Sequence, residues 1–146
     1  MTEHLKKELI RQARAARAQA YAPYSRFRVG AALLARDGRI FTGCNIENAS
    51  YSPSVCAERV AFAKAVSEGV RQFRGICIIG GPDSGVNDFC PPCGVCRQVM
   101  QEFCDPKTFE ILLAKSEEET VSYTLSQLLP LGFDLSKSDS FHFEEN

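Results

Sequence analysis

Two short cysteine motifs constrain the fold of this chain more than any other feature: Cys56-Ala57-Glu58-Arg59 and Pro92-Cys93-Gly94-Val95-Cys96. Each follows a loop-like stretch and opens a segment with helical spacing, over residues 56–68 and 93–103. In the first turn of a helix, side chains lean back toward the N-terminus, so Cys93 and Cys96, at i and i+3, can grip one ion together. Cys56 on the other helix completes a set of three thiolates. The fold must therefore bring two helix N-termini to one point. With three protein ligands, a tetrahedral zinc ion keeps its fourth position for water, the arrangement of a catalytic rather than a structural site.

The neighbours of the cysteines fit that reading. Glu58 lies two positions from Cys56, where a carboxylate beside the open position can take and return protons. Three thiolates on Zn²⁺ leave a net negative charge, which weakens the metal's power to acidify water. The two helix N-termini offset it by about half a positive charge each, and Arg59, at i+3 from Cys56, can hydrogen-bond the sulfurs. The combination matches the signature of zinc-dependent deaminases, H-x-E followed by P-C-x-x-C, in its three-cysteine variant.

Seven cysteines in a chain without a secretory signal do not suggest a disulfide framework. Burial is the ordinary fate of a lone cysteine, and Cys77, inside the apolar run 75–80, fits it. Cys90 raises an alternative, because Cys90-x-x-Cys93-x-x-Cys96 also has iron–sulfur spacing. Pro91-Pro92 hold the chain extended and turn Cys90 away from the later pair, which makes it a bystander. A non-catalytic zinc or iron–sulfur protein is thus the rival reading, and it leaves Glu58 without a role.

The rest of the chain reads as alternating helices and strands. Residues 3–20 carry Leu5, Leu9, Ala13, Ala16 and Ala20 on one helical stripe, with Lys6, Lys7, Arg11, Arg14 and Arg17 on the other face, expected to be solvated. Residues 27–35 and 39–45 read as strands joined by Asp37-Gly38, the mark of a two-residue hairpin turn. Further strands are expected at 74–79, 109–114 and 120–123, and a short helix after the N-cap candidate Thr124. The result is an α/β layered domain with a mixed sheet, spanning residues 1–146 as one unit and ending in a polar tail from about residue 134. A net charge of −1 and 45% hydrophobic residues point to a small substrate, with no nucleic-acid partner and no membrane span. A cytoplasmic location follows from the same features.

With these residues in hand, the chain resembles the cytidine deaminase family, specifically its small homotetrameric zinc-dependent type. The resemblance runs from about Tyr21 to Phe133. It rests on Tyr24-Ser25 with Phe27, Val29-Gly30-Ala31-Ala32, Gly43-Cys44-Asn45-Ile46-Glu47-Asn48, Cys56-Ala57-Glu58-Arg59 and Cys93-Gly94-Val95-Cys96-Arg97-Gln98. It implies a three-layer fold, with a mixed sheet of about five strands and helices on both faces. The implied activity is hydrolytic deamination of free cytidine and deoxycytidine in pyrimidine salvage, with one Zn²⁺ per chain. By the same resemblance, Asn45 and Glu47 bind the ribose hydroxyls, Phe27 packs on the pyrimidine and Ala57 lies against the substrate. Tyr51 sits at a subunit contact, and Phe133 reaches into a neighbouring subunit's site. Related deaminases acting on blasticidin S or on a base within RNA are the alternatives. The loop 80–90, the doubled proline at Pro91-Pro92 and residues 136–146 depart from the family pattern.

Overall fold

The hairpin expected at Asp37-Gly38 begins a five-stranded sheet in the computed structural model, which describes residues 1–135. β1 (Phe27–Ala35) and β2 (Ile40–Cys44) pair antiparallel, with Leu34 opposite Ile40 and Gly30 opposite Cys44. The turn itself differs from the two-residue form. Ala35 N–H donates to Arg39 O at 2.9 Å and Gly38 N–H to Ala35 O at 3.1 Å, so Arg36, Asp37 and Gly38 form a three-residue loop. Gly38 takes a φ of 93°. A two-residue type I′ turn would need positive φ at Asp37 as well. Asp37 instead accepts the backbone N–H of Arg39 at 3.0 Å and its guanidinium at 2.8 Å, which holds the longer loop closed.

β3 (Phe73–Pro82) lies on the other side of β1, antiparallel to it, and β4 (Glu110–Ala114) runs parallel to β3. β5 (Thr120–Thr124) closes the far edge, giving the order β2-β1-β3-β4-β5. A parallel pair needs a crossover connection, and α3 (Gly94–Phe103) provides it. β3 runs past the expected 74–79 because Gly80 and Gly81 stay in register with Val29 and Arg28. Those glycines end the apolar run without ending the ladder.

Strand alternation divides the buried residues into two cores. Ala31, Leu33, Ile76, Ile78, Ile111 and Leu113 face one side, where they pack with Ala61, Phe62 and Met100. Ala32, Leu34, Cys77, Ile79 and Leu112 face the other, against Leu9, Ile10 and Ala13 of α1 (Glu3–Ala18). α2 (Ala57–Ser67) and α3 thus cover one face and α1 the opposite one, the three-layer arrangement. Burial on both faces explains why β1, β3 and β4 read as continuous apolar runs. Phe62 ties α2 to its surroundings, with ring centroids 5.0 Å from Phe73 and 6.0 Å from Phe103.

The basic face of α1 is only partly solvated. Lys7, Arg11 and Arg14 are exposed, but Arg17 turns inward. Its Nε donates to Arg28 O at 3.1 Å, and its Nη2 to Gly81 O at 3.0 Å and Pro82 O at 2.7 Å. A fixed fork of donors satisfies strand-end carbonyls that would otherwise need water. α4 (Leu125–Leu128) starts at the expected N-cap Thr124, where Gln127 completes a capping box. Of the polar tail from residue 134, all but Asp134 and Leu135 lies outside the described residues.

Candidate metal centre and active site

α2 and α3 both begin on a cysteine in the extended N-cap conformation: Cys56 at φ −77°, ψ 155°, and Cys93 at φ −67°, ψ 167°. An N-cap side chain ordinarily accepts an N–H from the first turn. Neither cysteine does so, which leaves both sulfurs free to face outward from the helix ends. N-cap and third helical position are neighbours in space, the geometry a capping box exploits. Cys96 therefore stands beside Cys93, and Arg59 beside Cys56. Gly43 brings α2 close to the sheet, since a Cβ there would stand 2.2 Å from Ala57 O.

The three sulfurs of Cys56, Cys93 and Cys96 all lie within 4.8 Å of one another, and Cys56 and Cys93 are 3.7 Å apart. Tetrahedral zinc with Zn–S bonds of about 2.3 Å separates its sulfurs by about 3.8 Å. Protonation tells the same story. The Cys56 thiol is brought down to about 5, chiefly by a hydrogen bond from Cys96 and also by Arg59 and Cys93. Cys96 is pushed up by that same contact with Cys56 and by burial. Cys56 and Cys96 thus contend for one proton, which a dication of the right size would displace. Size, donor type and charge all fit zinc.

Arg59 Nη2 stands 3.5 Å from Cys56 Sγ, and Arg59 Nε is buried without a hydrogen-bond partner. The guanidinium is aimed at the sulfurs, as expected of a residue that offsets their charge. Glu58, at the second position of α2, is only 4% exposed. Burial raises its carboxyl above the ordinary range, and the charge on Cys56 adds to the effect. Cys90 stands outside the sulfur cluster. It packs beside Gly80, and burial followed by the nearby Glu58 pushes its thiol up to about 12. Cys77 is fully buried, as expected.

Between β2 and α2 the chain is pinned at Ile46, which bridges Tyr21 on one side and Val55 on the other. Asn45 Oδ1 accepts Val29 N–H at 2.8 Å, and its Nδ2 donates to Phe27 O at 2.8 Å. Glu47 Oε1 accepts Tyr24 N–H at 3.0 Å and Ser25 N–H at 3.1 Å. Hydrogen bonds from Ser25, then Tyr24, hold the Glu47 carboxyl below its usual range. Tyr24, Ser25, Glu47, Tyr51 and Ser54 line a cavity of about 420 Å³, a size suited to a small organic ligand. Tyr51 adopts a φ of 58°, which L-residues other than Asn and Asp seldom take.

The cytidine and deoxycytidylate deaminase zinc-binding region matches residues 3–111. The chain belongs to this deaminase family. A cytidine deaminase of Sporosarcina psychrophila is 48% identical over 132 residues, covering 90% of this chain and 92% of its own. A probable cytidine deaminase of Dictyostelium discoideum is 48% identical over 112 residues, covering 76% and 71%. The crystal structure of cytidine deaminase from Burkholderia pseudomallei superposes with a TM-score of 0.80 at 44% identity, covering 91% of this chain and all of that one. This deaminase accordingly has the family's fold, with one Zn²⁺ per chain.

Within this deaminase, β1 starts and β2 and β3 end at one end of the sheet, from which the chain runs on to Asn45, Glu47 and Tyr51 and to both cysteine motifs. Phe27 starts β1 there, 41% exposed. Phe133 is 67% exposed and is not among the residues lining the cavity; its backbone carbonyl accepts Gln98 Nε2 at 3.0 Å. Ala57 has a fully buried side chain. Sequence reading gave no role to the Tyr24 and Ser25 amides or to Ser54. The signal available for the first pair was their position just ahead of Phe27 in a family-like segment.

Proposed function

We infer that this chain hydrolyses the 4-amino group of free cytidine and deoxycytidine, giving the corresponding uridine and ammonia. The observation that carries the reading is the buried Glu58, two residues from a member of the three-sulfur cluster. Cys56, Cys93 and Cys96 would hold the zinc. Bound through three protein ligands, zinc lowers the pKa of a water molecule toward about 7 and so supplies a nucleophile at neutral pH.

The chain's own groups account for the proton traffic. Glu58 accepts the proton released as water attacks C4 and delivers it to N3 of the base. It then carries the second proton to the exocyclic nitrogen, which leaves as ammonia. A carboxyl raised by burial holds and releases a proton nearer neutral pH than an exposed glutamate does. Arg59 offsets the sulfur charge.

The ribose side follows from groups left over after the local hydrogen bonds. Asn45 retains one amide hydrogen and one lone pair, and Glu47 retains Oε2, for the sugar hydroxyls. Glu47 is ionised, so it repels phosphate and favours nucleosides over nucleotides. Phe27 would pack on the pyrimidine. Ala57, with its side chain buried, would offer the backbone N–H at the start of α2.

We further read the molecule as a single-domain homotetramer of pyrimidine salvage in the cytoplasm. Tyr24, Phe27, Ile46, Tyr51, Leu131 and Phe133 are all exposed, with the Tyr24 and Tyr51 rings 6.3 Å apart, and contiguous exposed apolar side chains mark association surfaces. Phe133, which does not line the cavity of its own chain, would complete a neighbour's. None of the seven cysteines is paired in a disulfide, in keeping with a reducing compartment. Among the described residues, no helix is long and apolar enough to cross a membrane. The test is the ultraviolet absorbance change of cytidine. Wild-type protein should turn it over, while Glu58→Gln should keep its zinc and lose about 100-fold or more in kcat. Activity of the variant within tenfold of wild type would remove Glu58 from its role.

A further inference from the structure

Arg97 and Gln98 follow Cys96 directly, yet the chemistry above uses neither. Both reach backward and outward from α3. Arg97 Nε donates to Pro92 O at 2.7 Å, and its Nη1 donates to Leu128 O at 2.6 Å. The backbone N–H of the same residue donates to Cys93 O at 3.0 Å. One residue therefore holds the carbonyls on both sides of the Cys93 nitrogen and α-carbon. Gln98 Nε2 donates to Phe133 O at 3.0 Å. One turn further on, the buried Gln101 packs so closely against Gly132 that a Cβ there would come within 2.5 Å of its Oε1. The helix that carries Cys96 in its first turn thus grips residues 128–133 at three levels.

We propose that Arg97 is a positioning residue that fastens the loop ending in Cys93 to the C-terminal segment bearing Phe133. A single half-buried guanidinium sets both the ligand loop of the metal centre and the departure point of the wall offered to a neighbouring subunit. Arginine suits the task because its planar fork presents several fixed donors at once, whereas lysine offers one flexible point charge. The roles of zinc and Phe133 in this proposal rest on the function inferred above; the hydrogen bonds do not.

The test uses full-length zinc-loaded protein as wild type, Arg97→Ala, Arg97→Lys and Gln98→Ala. Zinc release is followed with the chromophoric chelator 4-(2-pyridylazo)resorcinol, and kcat and KM are measured separately on cytidine. Arg97→Ala should release zinc about 10-fold to 100-fold faster, the range found when partners that orient metal ligands are removed. It should also raise KM. Arg97→Lys, which can reach only one of the two carbonyls, should fall between Arg97→Ala and wild type, and it carries the test if Arg97→Ala does not fold. Gln98→Ala should raise KM and leave zinc release unchanged. Zinc release at the wild-type rate in both Arg97 variants overturns the proposal. So does Gln98→Ala releasing zinc as fast as Arg97→Ala, because the bond to Pro92 would then not be what holds the loop. A wild-type protein that leaves cytidine untouched would sink the assigned substrate instead, and zinc release would still decide the latch.

Discussion

At the scale of single residues, the division of labour among the cysteines is the sharpest claim. Cys56 faces Cys93 at 3.7 Å across the gap between two helices, whereas Cys90 lies apart beside Gly80. Metal analysis of Cys90→Ser should therefore find about one zinc per chain with most activity retained, and Cys56→Ser should lose both. The opposite pattern would mean that the C-x-x-C-x-x-C run alone builds the centre. Glu47 makes a second claim. Its carboxyl is held below its ordinary value of 4.5, so the charge is lost only when pH falls under that value, and KM for cytidine should not change between about pH 8 and pH 6 on its account. Glu47→Gln should raise that KM about tenfold or more, the worth of a hydrogen bond to a charged group, and narrow the preference for cytidine over cytidine monophosphate. Equal discrimination against the phosphate in both proteins would remove Glu47 from that role. The cysteines and Glu58 could be read from sequence because their chemistry follows from type and spacing. Asn45 could not be read fully: its amide braces Phe27 and Val29, and that partnership exists only once β1 lies alongside the end of β2.

At the scale of elements, helix starts proved easier to read than turns. The α2 and α3 starts were legible from the helical spacing that follows each cysteine motif, and the Thr124 cap because capping depends on residues within one turn. The hairpin loop was not, because Asp-Gly suits more than one loop length and the side chain of Asp37 selects the longer one. Sequence alone assigns Arg17 to the solvated face for a related reason, since the carbonyls that hold it inward belong to β1 and β3, remote from it in sequence. Contact between α2 and β2 yields a prediction. Gly43→Ala would force the backbone around Ala57 to move, at a cost of about 1–3 kcal/mol for overpacking. Because that turn carries Cys56 and Glu58, thermal stability and zinc content should fall together. A variant with normal zinc content and a lowered Tm would show that the first turn of α2 can shift without disturbing the sulfurs.

At the scale of the whole molecule, the apolar side chains left at the surface call for partners. Light scattering should give a tetramer, and a fully active monomer would contradict the subunit reading. Phe133→Ala should mainly raise KM, because under the subunit reading the lost contact would touch the nucleoside in ground and transition states alike. A layered α/β domain with a mixed sheet was legible from the alternation of strands and helices, and its three layers only through the family resemblance; the place proposed for Phe133 would depend on a second chain that no single sequence displays. Cys56 and Cys93 are separated by 37 positions, and the segment between them contains β3, the central strand. A metal bridge between those two sulfurs closes a ring of chain around the middle of the sheet. In polymer terms it acts as a cross-link: if it persisted through unfolding, it would strip the disordered chain of about 4 kcal/mol of conformational freedom. An ion held by Cys56 and Cys93 would thereby equip this chain for chemistry and be a topological staple as well.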